Sequence, residues 1–105
     1  MSIDINLKND IDTDFWEVSV AGELDVSTAD EFKEYLHKLI DKGIRNIILD
    51  LESLDYIDST GLGVMIGVLK RIKIENKEIY IKSPKDNVKK IFSITGLDKI
   101  FKMEG

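Results

Sequence analysis

The chain has 105 residues, enough for one domain with a single core, and its 43% hydrophobic and 33% charged residues describe a folded globular protein rather than a disordered one. A net charge of −5 argues against nucleic acid and anionic membrane surfaces as direct partners, because both call for a basic face. Cysteine is absent, which excludes disulfides, thiolate nucleophiles and cysteine metal sites, and there is no signal segment or membrane-length apolar run, so a soluble cytoplasmic protein is expected.

In chain order, Ile3, Ile5 and Leu7 alternate with Asp4, Asn6 and Lys8, the pattern of a strand with one wet face. Asn9 to Asp14 is rich in turn formers, and Phe15 to Val20 reads as a second strand with Trp16, Val18 and Val20 on one side, so the two should form an antiparallel hairpin. Gly22-Glu23-Leu24-Asp25 breaks the alternation. A helix follows, announced by Thr28 and Glu31 at capping-box spacing, with Ala29, Phe32, Leu36, Leu39 and Ile40 on its apolar face and Gly43 as its stop. Ile47 to Leu51 is dense in aliphatics, as an interior strand should be. After a loop, Leu62, Met65, Ile66, Leu69 and Ile72 mark a second helix. Glu78 to Lys82 alternates again. Ser83-Pro84 is expected to open a third helix, which buries Val88, Ile91 and Phe92 and stops near Gly96; Leu97 to Met103 fits a further helical turn or an edge strand.

The order β-β-α-β-α-β-α describes an α/β domain of two layers, a mixed and mostly parallel sheet with helices packed on one face. The second and third strands flank a crossover helix, so they should run parallel and end on the same sheet edge. Glu23 and Asp25 then face the segment Asp58-Ser59-Thr60, and ligands of open sheets gather at such an edge. The second helix contains Gly61, Gly63 and Gly67, although each glycine costs about 1 kcal/mol against alanine there. They allow close backbone approach, either to the sheet or to a partner. Ser59 lies at or beside the helix N-cap. Its chemistry alone suits a capping serine; a phosphate on it would also be favoured by the helix dipole and would add nearly two negative charges beside Asp58 and Asp25.

Gly22-Glu23-Leu24-Asp25, the segment Asp58-Ser59-Thr60-Gly61-Leu62-Gly63-Val64 and the tail Phe92-Ser93-Ile94-Thr95-Gly96-Leu97 together resemble the STAS-domain anti-sigma factor antagonists of bacteria. The likeness spans essentially the whole chain, so residues 1–105 are expected to form one STAS domain. The resemblance implies a non-enzymatic protein that binds an anti-sigma factor with serine kinase activity and so frees a sigma factor for stress or sporulation genes. It further implies that the kinase ends the interaction by phosphorylating Ser59 and that a phosphoserine phosphatase restores it. Glu23, Asp25, Asp58, Ser59, Thr60, Gly61, Leu62 and Gly63 are the expected partner-binding residues, with Asp25 matching the acidic residue tied to kinase recognition. A monomer with no cofactor and no metal is expected.

An enzyme is the first rival. His37, the single histidine, is placed on the first helix facing solvent, and without cysteine or a second histidine a nucleophile-and-base pair is hard to assemble. A scaffold or regulatory subunit of a stress-signalling complex is the second. Nucleotide binding is the third, and the loop lacks the lysine and longer glycine pattern of a P-loop.

Overall fold

The computed structural model describes residues 2–9 and 14–104. Strand β1 (Ile3–Asn9) runs antiparallel to β2 (Phe15–Leu24), with Ile5 opposite Val20 and Leu7 opposite Val18. The predicted turn between them falls mainly on residues 10–13, outside the described residues. Helix α1 (Ala29–Lys42) crosses over to β3 (Asn46–Asp50), which lies parallel to the first half of β2. Then come β4 (Leu54–Ile57), α2 (Ser59–Lys73), β5 (Ile79–Lys82), α3 (Asp86–Ile94), a 3-10 turn at Leu97–Lys99 and β6 (Lys102–Met103). The sheet order is β1-β2-β3-β5-β6, with β4 added to β2; among the described residues β1–β2 is antiparallel and the other pairs are parallel.

Two strands enter that the expected order lacked, making it β-β-α-β-β-α-β-α-β. One is β6: the tail forms both the helical turn and the edge strand that were offered as alternatives. The other is β4. It pairs in parallel with the far end of β2, Gly22 opposite Leu54 and Leu24 opposite Ile57, with an irregularity between Gly22 and Glu23. Strand β2 therefore has β3 as its neighbour over one half and β4 over the other. Gly22 makes this possible. Its φ is +100°, and a side chain there would place Cβ 2.4 Å from the Ser2 carbonyl oxygen, so only glycine fits.

Helix packing follows the apolar stripes. Val18, Val20, Ile47, Leu49, Ile79 and Ile81 form the buried face of the sheet. Phe32 and Leu36 of α1, Met65 and Ile72 of α2, and Val88 and Phe92 of α3 are fully buried against it in one cluster. The other face is half-exposed and mixed: Phe15 meets Tyr80 edge-on with ring centroids 5.9 Å apart, Lys8 bridges Asp50 at 2.8 Å, and Lys82 bridges Glu17 at 3.2 Å. Trp16, near the start of β2, is buried; its Nε1 donates to the Gly43 carbonyl at 2.8 Å, and the Arg45 guanidinium stands 3.7 Å above its ring. Among the described residues, no helix is long and apolar enough to cross a membrane.

Two helix starts differ from expectation. Ser83 does not cap α3: it adopts φ +53°, the helix begins at Asp86, and Lys85 holds the N-cap position. The proline that follows disfavours right-handed helical backbone at Ser83, and Lys85 is drawn instead to Asp55 at 2.6 Å. Thr28 does stand at the N-cap of α1, but its side chain caps nothing, so the capping box is not made. Its hydroxyl serves the preceding loop.

Candidate functional site

The β2 and β4 ends deliver the two acidic segments side by side. Leu24 pairs with Ile57, and the next amide, Asp58 N–H, donates to the Leu24 carbonyl at 3.1 Å. Asp25 and Asp58 thus leave adjacent parallel strands on one edge. The strand that brings them together is β4 rather than β3.

Asp25 is not an exposed anion. It keeps 6% of its surface, and its Oδ1 accepts the Ser27 amide at 2.9 Å and the Ser27 hydroxyl at 2.6 Å. The Ser27 hydroxyl is the main reason its carboxyl is held below the usual value of 3.8; the Ser27 and Thr28 amides add to this, against the opposing effect of burial. Thr28 completes the lock. The residue keeps 4% of its surface, and its Oγ1 accepts the Asp25 amide at 3.0 Å and donates to the Glu23 carbonyl at 2.8 Å. The loop is tied by its own hydrogen bonds, and it carries Val26 at its tip with 76% of its surface exposed. Glu23 is half-buried, with its amide given to the Ser2 carbonyl at 2.9 Å.

Across the edge, Asp58 rather than Ser59 caps α2. Asp58 has extended backbone, and its Oδ1 accepts the Gly61 amide at 3.1 Å. The capping role considered for Ser59 is therefore already taken. Ser59 is the first residue of the helix and is exposed; among the described residues its hydroxyl makes no hydrogen bond. Because the cap uses the third amide of the helix, the first two, of Ser59 and Thr60, remain unpaired donors among the described residues, beside that hydroxyl. The first turn of α2 contains no acidic residue of its own.

The glycines of α2 divide. At Gly61 a Cβ would lie 2.6 Å from Leu24 Cγ and 3.1 Å from the Leu24 carbonyl, so this glycine seats the helix on β2. At Gly63 and Gly67 a Cβ would meet nothing within 4 Å. Both are exposed and floor a groove of about 340 Å³ between α1 and α2, bounded by Ala29, Lys33 and His37 on one side and Thr60 on the other. Leu62 is 6% exposed and belongs to the core. Of the eight residues read as partner-binding, Ser59, Thr60 and Gly63 are exposed, Glu23 and Asp58 are half-buried, and Asp25, Gly61 and Leu62 shape the edge from within. Thr28 and Val26 were missed; the run Asp25-Val26-Ser27-Thr28, a carboxylate followed at two and three residues by hydroxyls, was the available signal.

His37 is half-buried between α1 and α2 rather than turned to solvent, and its Nδ1 faces Arg71 Nη1 at 2.9 Å. Among the described residues, no group of His, Asp and Glu side chains could hold a metal ion.

Known proteins resemble this chain in sequence and fold. The sequence model of the STAS domain family matches residues 6–105. The chain is similar to the anti-sigma-B factor antagonist of Staphylococcus aureus NCTC 8325, 41% identical over 95 residues, 90% of this chain and 88% of the relative. A Thermotoga maritima crystal structure, described as a candidate anti-sigma factor antagonist, is 32% identical, with TM-score 0.75 over 83% of this chain and 77% of that one. The unphosphorylated anti-sigma factor antagonist SpoIIAA, at 21% identity, shares the fold with TM-score 0.82 over 97% of this chain and 89% of that one.

Proposed function

We propose that this chain, which belongs to the STAS domain family, is an anti-sigma factor antagonist: it binds an anti-sigma factor, releases a sigma factor, and is switched off by phosphorylation of Ser59. The observation that carries this is the state of Ser59. Its hydroxyl is exposed at the first position of α2 and unpartnered among the described residues, because Asp58 has taken the cap. The 41% identical relative named as an anti-sigma-B factor antagonist supports the partner class.

On this reading the anti-sigma factor is also the serine kinase, and a phosphoserine phosphatase reverses the step. The chain is then a substrate and a binding partner, not an enzyme, and acts as a monomer in the cytoplasm. Partner contact falls on the edge formed by Ser59, Thr60, Gly63 and the Val26 tip. A phosphate on Ser59 carries a charge of about −1.5 to −2 and meets a helix N-terminus that favours it, so the fold tolerates it. The partner does not tolerate it, since the same charge, added beside Asp58, must be desolvated on binding.

The test is incubation with the anti-sigma-B factor of Staphylococcus aureus and ATP, followed by mass mapping of the phosphate. Ser59→Ala should bind and remain unmodified. Stoichiometric phosphorylation of the Ser59→Ala protein would remove the site assignment.

A further inference from the structure

Arg71 makes an unusual commitment. It projects from α2, yet its guanidinium is given entirely to α1: Nη1 to His37 Nδ1 at 2.9 Å and to the His37 carbonyl at 3.4 Å, and Nη2 to Asp41 at 2.5 Å. A guanidinium has donors only. The contact with Nδ1 therefore requires the neutral ring, with its proton on Nε2. The charged groups that face this ring are Lys33 and Asp41 from α1 and Arg71 from α2. Two are cations, and the single carboxylate already belongs to Arg71. A proton on His37 would abolish the acceptor and set imidazolium against guanidinium. His37 is also a wall of the groove that begins at Thr60 and is floored by Gly63 and Gly67.

We infer that His37 and Arg71 form a proton-operated latch between α1 and α2: closed while His37 is neutral, released when it is protonated, and so able to set the shape of the groove beside Ser59 and the affinity of a partner seated there. Burial first, then Arg71 and Lys33, hold the His37 pKa below its usual 6.5, against the smaller pull of Asp41. The latch is closed at neutral pH and opens only in acid. Groove closure is a property of the chain alone, whereas the effect on affinity rests on the function proposed above.

Because His37 is the only histidine, its ring signals are unambiguous in an NMR titration of the full chain from about pH 8 to about pH 5. The neutral ring should carry its proton on Nε2, the midpoint should lie below 6.5, and the amides of Gly63 and Gly67 should move with that same midpoint. In Arg71→Met the midpoint should rise and the glycine amides should stop following it; in His37→Gln the transition should vanish. Neutral imidazole protonated on Nδ1, or glycine amides indifferent to the His37 midpoint, would overturn the latch. Binding is then measured with the Staphylococcus aureus anti-sigma-B factor over the same range. One coupled proton allows affinity to fall by up to about tenfold per pH unit below the midpoint. Wild type should lose affinity there, and His37→Gln should not. Identical pH profiles for the two, with Ser59 still phosphorylated at neutral pH, would overturn control of affinity while leaving the proposed function standing. Failure of wild type to bind at neutral pH, where the latch is closed, would instead count against the proposed function and, with it, control of affinity by the latch.

Discussion

Gly67→Ala should stabilise the fold and weaken partner binding. Gly67 lies in the interior of α2, exposed, and an added Cβ would meet no atom within 4 Å. No native contact is lost and no overlap is created. What remains is the intrinsic helix preference of alanine over glycine, about 0.8–1 kcal/mol, part of which is the smaller conformational freedom of the unfolded chain. For a domain of this size, 1 kcal/mol raises Tm by roughly 4 °C. Circular dichroism at the helix band would follow both thermal and urea denaturation, and the urea slope should be unchanged, since the area exposed on unfolding is the same. Gly61→Ala is the contrasting control. Its Cβ would sit 2.6 Å from Leu24 Cγ and 3.1 Å from the Leu24 carbonyl, and overpacking of that kind costs about 1–3 kcal/mol. A Gly67→Ala protein no more stable than wild type, or a Gly61→Ala protein equal to it, would refute the reasoning. The binding half is separate: a stabilised Gly67→Ala chain with undiminished affinity would show that the partner makes no use of the open groove floor.

Asp58→Ala should cost about 1 kcal/mol through loss of the cap, whereas Ser59→Ala should stay within about 0.5 kcal/mol, both read from urea midpoints. Thr28→Val keeps the shape but leaves the Asp25 amide without its acceptor; a loss of about 1–3 kcal/mol is expected, with recovery in Thr28→Ser. Val26→Asp should leave Tm unchanged and weaken binding of the anti-sigma-B factor; unaltered affinity would take Val26 out of the interface. Asp25 has a folded pKa below 3.8, so its contribution is complete above that value and fades as pH falls through the folded pKa; the stability difference between wild type and Asp25→Asn should be flat near neutrality and shrink in acid.

The legible parts of this fold were those with an uninterrupted period. Ile3-Ile5-Leu7 and Ile79-Ile81 alternate, and the stripes of α1 and α2 repeat at helical spacing, so hairpin, crossover and open face could all be read in advance. Strand β4 could not. Its buried residues, Leu54 and Ile57, are three apart, and Asp55 and Tyr56 between them are both exposed, a spacing that suits a helix turn and breaks the alternation of a strand. At the site, Asp58 and Ser59 are equally good capping residues by type; the extended backbone at Asp58 decides between them, and that depends on β4 pairing with β2. Asp25 was placed on the correct edge, but its burial follows from the loop that Ser27 and Thr28 close over it. His37 looked free because Arg71 is 34 residues away.

The position of Trp16 has a practical consequence. It is the only tryptophan, and it sits at the opposite end of β2 from Leu24, about 26 Å along an extended strand. Its ring is fixed by the Gly43 carbonyl and covered by Arg45. Emission from this indole should report whether the whole domain is folded and stay silent when a phosphate or a partner arrives at Ser59. The molecule thus contains an optical gauge of its integrity far from the proposed switch, and a variant that loses binding with unchanged emission is still folded around Trp16.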